Sequence, residues 1–190
     1  CLYCKGNIGL LSEKKKIAII GCRDYSKYGE KIAKEFAYKL AQENIVIVSG
    51  GARGIDSFAH QGTLNTDKGT IVVLGNGIDY IYPPENKNLE KQILQNNGLI
   101  ISEYIIGTKP SKYTFPARNR IISGISDGVL VIEAKEKSGT LITVDFALEQ
   151  GKNIYAIPGN IDSSNTKGTN ELIKQGAKLV TTPEDILEDF

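Results

Sequence analysis

The stretch Ser49-Gly50-Gly51-Ala52-Arg53-Gly54-Ile55-Asp56-Ser57-Phe58-Ala59-His60 decides how the rest of the chain is read. It follows the apolar run Ile45-Val46-Ile47-Val48, which has the length and β-branching of a buried strand, and it leads into helical spacing from Ile55 to about Asn65. Strand, glycine turn and helix start make an anion-binding arrangement. Glycines let the backbone approach a ligand, while the unpaired N–H groups and positive dipole end of the helix favour a negative group.

Upstream, Ile17-Ala18-Ile19-Ile20-Gly21 is the first main strand, and Ile32, Ala33, Phe36, Ala37, Leu40 and Ala41 mark an amphipathic helix after it. Downstream, strands are expected at Thr70–Leu74, Leu99–Ser102, Gly128–Ile132 and Asn153–Ile157. Helices are expected around Leu89 and Ile93, at Arg118–Ser123, from Ser138 to about Gly151, at Glu171–Lys174 and after Pro183, with a last strand at Lys178–Val180. This alternation predicts an α/β fold: an extended Rossmann-like, doubly wound, mostly parallel sheet with helices on both faces. Residues 1–190 read as one such domain, with 1–15 forming an edge element. The chain starts with Cys1 in what already reads as a strand, so it is expected to be part of a longer protein.

Lysine plus arginine total 23 against 22 aspartates and glutamates, so the net charge of +1 announces no bulk polyanion partner, and any such site must be a local basic patch. No run has the length of a transmembrane helix and the N-terminus lacks a secretory pattern, so a cytoplasmic protein without a membrane partner is expected. Cys1, Cys4 and Cys22 make no disulfide framework. The Cys1-x-x-Cys4 pair lacks the other two ligands of a zinc site, so neither a metal nor a cofactor is expected.

In a parallel sheet, ligands bind outside the carboxyl ends of the strands. That rule gathers Gly21-Cys22-Arg23-Asp24, the glycine loop, Gly75-Asn76-Gly77 and Ser138-Gly139-Thr140 onto one edge. Singly each reads as an ordinary turn or cap; together they point to a site. Arg118-Asn119-Arg120 adds two cations at an expected helix start, where the dipole disfavours them by roughly 0.3–1 kcal/mol each unless an anion sits there. Lys112 reaches the same edge. Tyr113 and Phe115 lie among these cations, and alternating rings and charges hold single-stranded nucleic acid by base stacking and backbone tracking. Core packing is the rival role for Phe115. His60 and Asp56 share a helix face without a nucleophile beside them, so they read as scaffolding. Asp24, Glu133 and Asp145 read as caps or as partners of the arginines. A dinucleotide site is excluded, because no G-x-G-x-x-G follows the first strand and the second ends in Ser49-Gly50 rather than a ribose-binding carboxylate.

Three motifs together resemble the DNA-processing protein A family (DprA, also called Smf). They are Ser49 to Asp56, Phe115-Pro116-Ala117-Arg118-Asn119-Arg120-Ile121-Ile122-Ser123-Gly124 and Ser138-Gly139-Thr140-Leu141-Ile142-Thr143. Ala147-Leu148-Glu149-Gln150-Gly151, Ile157-Pro158-Gly159 and Leu172 to Ala177 match as well, so the resemblance runs over nearly the whole chain. It implies a homodimeric protein, not an enzyme, that binds single-stranded DNA without sequence preference and loads RecA recombinase in natural transformation and recombination. The flanking helical or winged-helix domains of that family are absent from this sequence. The resemblance puts DNA contacts at Arg23, Gly50, Gly51, Ala52, Arg53, Gly54, Asn76, Phe115, Arg118, Asn119, Arg120, Ser138, Gly139 and Thr140. Where some relatives carry a basic residue after Tyr82-Pro83, this chain has Pro84, and Lys87 is the substitute contact.

The rival reading is a nucleotide phosphoribohydrolase of the lysine-decarboxylase-like fold, whose signature P-G-G-x-G-T-x-x-E places a glutamate three residues after the threonine. Here Thr143 stands at that position, and the carboxylate such hydrolysis needs is missing. A regulatory domain sensing a free nucleotide is a third reading.

Overall fold

The computed structural model describes residues 1–190. Its strands are β1 (Tyr3–Gly6), β2 (Lys16–Ile20), β3 (Val46–Ser49), β4 (Thr70–Leu74), β5 (Leu99–Ser102), β6 (Gly128–Val131), β7 (Asn153–Ala156) and β8 (Lys178–Leu179). The helices are α1 (Lys27–Gln42), α2 (Ile55–Thr63), α3 (Lys87–Gln95), α4 (Thr114–Gly124), α5 (Gly139–Glu149), α6 (Lys167–Lys174) and α7 (Glu184–Leu187). The strands form one sheet in the order β1-β5-β4-β3-β2-β6-β7-β8. Every neighbouring pair is parallel except β1 with β5. The expected doubly wound, mostly parallel architecture is therefore present.

Both sheet faces are covered, which is why the strands read as continuous apolar runs rather than alternating ones. Ala18, Val48, Val73 and Val129 pack with Ile121 and Ile122 of α4, Val144 and Ala147 of α5 and Leu172 of α6. Ile17, Ile19, Ile47 and Leu130 pack on the other face with Phe36 and Leu40 of α1, Ile55 of α2 and Ile186 of α7. Helix α3 covers Val72, Leu74 and Ile100 through Leu89 and Ile93.

The chain winds outward from β2 to β5, and α4 then carries it back to β6 on the far side of β2. The segment after β2 turns to one face and the segment after β6 to the other, so a crevice opens between their carboxyl ends.

Three helices start earlier than the sequence spacing suggests, α6 among them, at Lys167 rather than Glu171. Ser26 caps α1, its hydroxyl accepting from the Gly29 amide at 3.0 Å, so the helix gains a polar first turn. Helix α4 begins at Thr114 rather than Arg118, and Phe115-Pro116 belongs to its first turn, where proline's missing N–H has no intrahelical partner to lose. Arg118 and Arg120 consequently lie in the second turn, and the dipole penalty expected of a helix start does not apply to them.

Gly54 locks the two central loops together. Its φ is 78°, and an added Cβ would sit 2.4 Å from the Cys22 carbonyl oxygen, while the next amide, of Ile55, donates to that same oxygen at 3.2 Å. Gly107 also has positive φ, 91°, but open space around it. Gly54→Ala is therefore expected to cost about 2–3 kcal/mol and to lower the thermal midpoint by roughly 5–10 °C. Gly107→Ala should lower it clearly less. Equal shifts in a thermal scan would contradict the close approach of the loops.

Candidate functional site

Two adjoining cavities of about 460 and 350 Å³ occupy this crevice. They share a wall made by Arg23, Asp24, Ala52, Phe115 and Arg118. The first reaches toward Lys112, Asn119, Lys135 and Ser138-Gly139-Thr140, and the second toward Gly50, Arg53, Asn76 and Tyr82.

The floor of the crevice is held by Arg118, which is 4 % exposed. Its Nη1 donates to the Gly50 carbonyl at 2.7 Å and to the Val73 carbonyl, and its Nε donates to Asn119 Oδ1 at 3.2 Å. A Cβ on Gly50 would lie 2.7 Å from both the Arg118 guanidinium and Asp56 Oδ2, so only glycine lets both side chains close on the loop. Asp56 is buried, and its Oδ2 accepts from the Ala52 amide at 3.4 Å. Burial raises its pKa above the ordinary carboxylate value, against the opposing pull of Arg118 and of the loop amides. The glycine loop therefore turns the Ala52 amide to the chain's own carboxylate rather than to the crevice. Of the loop amides expected to face a phosphate, that of Ala52 is thus engaged inside the protein.

The cations sort by their partners. Arg53 is paired with Glu85, Arg120 with Glu103, and Lys135 with Asp24 at 2.7 Å. Arg23 and Lys112 are exposed and have no carboxylate partner. The Arg23 guanidinium lies 5.6 Å from the Phe115 ring centroid, and that ring stacks on Tyr82 at 5.3 Å with planes 29° apart. A half-buried ring between a free cation and a second ring suits a flat, electron-rich group carrying a phosphate.

Other expected site residues fall elsewhere. Arg120 and Lys87 line neither cavity. Gly51 takes φ 66° and offers its carbonyl to Asn86 Nδ2 at 2.9 Å, and Gly54 sits at the helix start behind the loop. Asp24 pairs with a lysine rather than an arginine. Glu133 is a cap, accepting from the Ser26 amide at 3.0 Å and the Ser26 hydroxyl at 2.5 Å; no partner of Asp145 is found. Lys135 and Tyr82 were missed by sequence reasoning. The Lys135-Glu136-Lys137 run before Ser138 and the tyrosine of Tyr82-Pro83 were the available signals.

His60 is fully buried, and its Nδ1 lies 2.9 Å from Thr70 Oγ1. The Thr70 hydroxyl spends its proton on the Ile47 carbonyl at 2.6 Å, so His60 Nδ1 carries the hydrogen between them. Its Nε2 has no partner. Burial, with a smaller contribution from Arg118, pushes its pKa down to about 3. No group of three or more His, Cys, Asp or Glu side chains is arranged to hold a metal, and no helix is long and apolar enough to cross a membrane.

The family model described as DNA recombination-mediator protein A matches residues 1–190. The chain belongs to this family. It is 47 % identical over 189 residues to the DNA processing protein DprA of Streptococcus pneumoniae, covering all of this chain and 66 % of that protein. It is 44 % identical over 189 residues to protein Smf of Escherichia coli, covering all of this chain and 50 % of that one. The solved S. pneumoniae DprA structure superposes with a TM-score of 0.93 at 46 % identity, over the whole chain and 66 % of its counterpart. A Helicobacter pylori DNA processing protein A, described for its single-stranded DNA binding mode, superposes at 0.91 with 36 % identity, over the whole chain and 87 % of that one. The chain thus spans about half to two thirds of these two curated relatives. The DprA/Smf resemblance read from the sequence is confirmed.

Within this family member, Arg118→Leu is expected to cost about 3–5 kcal/mol in urea unfolding, because it strands the Gly50 and Val73 carbonyls and leaves Asp56 uncompensated. A loss below about 1 kcal/mol would remove Arg118 from the scaffold. His60 gives a signed pH effect. Above pH 6.5 it is neutral folded and unfolded; as pH falls toward 3 only the unfolded chain takes up the proton, so stability is lost across that window. The slope is at most about 1.4 kcal/mol per pH unit. His60→Leu should flatten the urea midpoint between about pH 6 and pH 4 relative to the unmodified chain, and parallel curves would contradict a buried neutral imidazole.

Proposed function

We propose that this chain is the single-stranded-DNA-binding part of a longer protein, and that it binds the strand without sequence preference and delivers it to RecA recombinase in transformation and recombination. The observation that carries this reading is Arg23: an unpaired, exposed guanidinium over the Phe115 ring, set between two cavities. Membership of a recombination-mediator family and likeness to a protein described for single-stranded DNA binding support it.

In this reading Arg23 and Lys112 neutralise phosphates, and Phe115 with Tyr82 offers a stacking surface. Asn76, Arg53, Asn119 and Ser138-Gly139-Thr140 complete the walls. Arg118 positions them from below. The protein works by binding rather than by catalysis and acts in the cytoplasm. It pairs with a second copy through the tail, where Leu179 is 48 % exposed, although Leu172 and Ile186 of the same segment are buried in the monomer core. Light scattering at high micromolar concentration should report a dimer, and a monomer alone would refute the pairing.

Binding of fluorescent oligothymidylate, followed by anisotropy at two salt concentrations, separates the arginines. Arg23→Ala is expected to weaken binding about tenfold and to lower the salt slope by about one, while Arg120→Ala, on a paired and peripheral cation, should change it little. Equal losses for both variants would contradict the role given to Arg23. If the unmodified chain fails to bind and instead releases adenine from AMP, the hydrolase reading replaces this one.

A further inference from the structure

The segment between β5 and α4 is braced from several sides. Gly77 donates its amide to the Thr108 carbonyl at 2.8 Å, Asp79 accepts from the Gly107 amide at 3.0 Å, and Tyr104 Oη donates to the Thr114 carbonyl at 3.2 Å. Its last turn is fixed by Ser111 and Thr114: the Thr114 hydroxyl donates to the Ser111 carbonyl at 3.0 Å, and each residue's amide donates to the other's hydroxyl at 3.2–3.3 Å. On this fixed backbone Tyr113 is 74 % exposed, the most exposed aromatic ring of the chain. Lys112 Nζ lies 5.1 Å from its ring centroid, and Lys112 also lines the larger cavity.

An ordered turn that places a large ring in water gains nothing from it in the free protein. A ring outside the crevice mouth, beside a cation that faces into the crevice, matches the repeat of a single-stranded nucleic acid: phosphate on the lysine, next base on the ring. Exposed Lys109 on the same segment extends the positive charge in that direction. We propose that Tyr113 and Lys112 form an outer stacking step, which takes the base next to those held in the crevice and leads the strand out across the β5 side of the sheet. This deepens the proposed single-stranded DNA reading and rests on it.

The test is a length series with the whole chain: anisotropy with an oligothymidylate of about four nucleotides and another of about twenty, for the unmodified protein, Tyr113→Ala, Tyr113→Leu and Tyr113→Phe. Tyr113→Ala and Tyr113→Leu are expected to bind the long oligomer about tenfold more weakly with little change for the short one, and Tyr113→Phe to bind both normally. Because the ring is exposed, thermal midpoints should agree among all four proteins. Undiminished long-oligomer binding by Tyr113→Ala overturns the outer step. Equal loss at both lengths also overturns it, since the ring would then belong to the crevice itself. If Tyr113→Leu binds as well as Tyr113→Phe, stacking is not the contact. Failure of the unmodified chain to bind either oligomer is a different result and refutes the DNA reading as a whole.

Discussion

The buried guanidinium of Arg118 ties α4 to the carboxyl ends of two paired strands, β3 and β4. It reaches from the second turn of α4 to the carbonyl of Gly50 after β3 and to that of Val73 near the end of β4. A buried cation is tolerated only when its donors find acceptors. Here the acceptors are main-chain oxygens at the carboxyl ends of adjacent strands, with Asp56 close by through the gap left at Gly50. The loops that frame the crevice are thereby held at fixed heights. Burial lowers the Arg118 pKa to about 10, which keeps it charged at neutral pH.

This clasp separates scaffold from surface in a way the sequence does not display. Arg118 and Arg120 are two residues apart in one motif, yet one is buried beneath the crevice and the other is turned outward onto Glu103. The glycine loop follows the same logic. Its sequence is that of an anion cradle, and its Ala52 amide bonds a carboxylate of the chain itself, Asp56, supplied four residues downstream by the first turn of α2. Of the exposed cations that line the crevice, Arg23 and Lys112 are the two left without an ion-pair partner, and aromatic rings lie beside both.

Fold class and strand positions are legible because a sheet covered on both faces needs apolar strands, and Ile17–Ile20, Ile45–Val48 and Val129–Ile132 have no other use. The carboxyl-edge rule then collects the right loops. Helix starts are less legible: Pro116 reads as a break, although a first turn accepts it, and Ser26 announces a cap only once the Gly29 amide is seen to point at it. Pairing is not legible at all. Whether Asp24 meets an arginine or Lys135, and whether Arg118 faces solvent or carbonyls, depends on contacts between residues 45 to 111 positions apart. Composition and spacing carry no information about them.

The division between a buried clasp and a free contact surface is tested most directly by NMR. Side-chain Nε–H signals of the arginines, recorded during titration with oligothymidylate, report each guanidinium separately. The Arg23 signal is expected to shift and the Arg118 signal to stay in place with slow solvent exchange. A shifting Arg118 with a silent Arg23 would contradict the assignment of scaffold and surface.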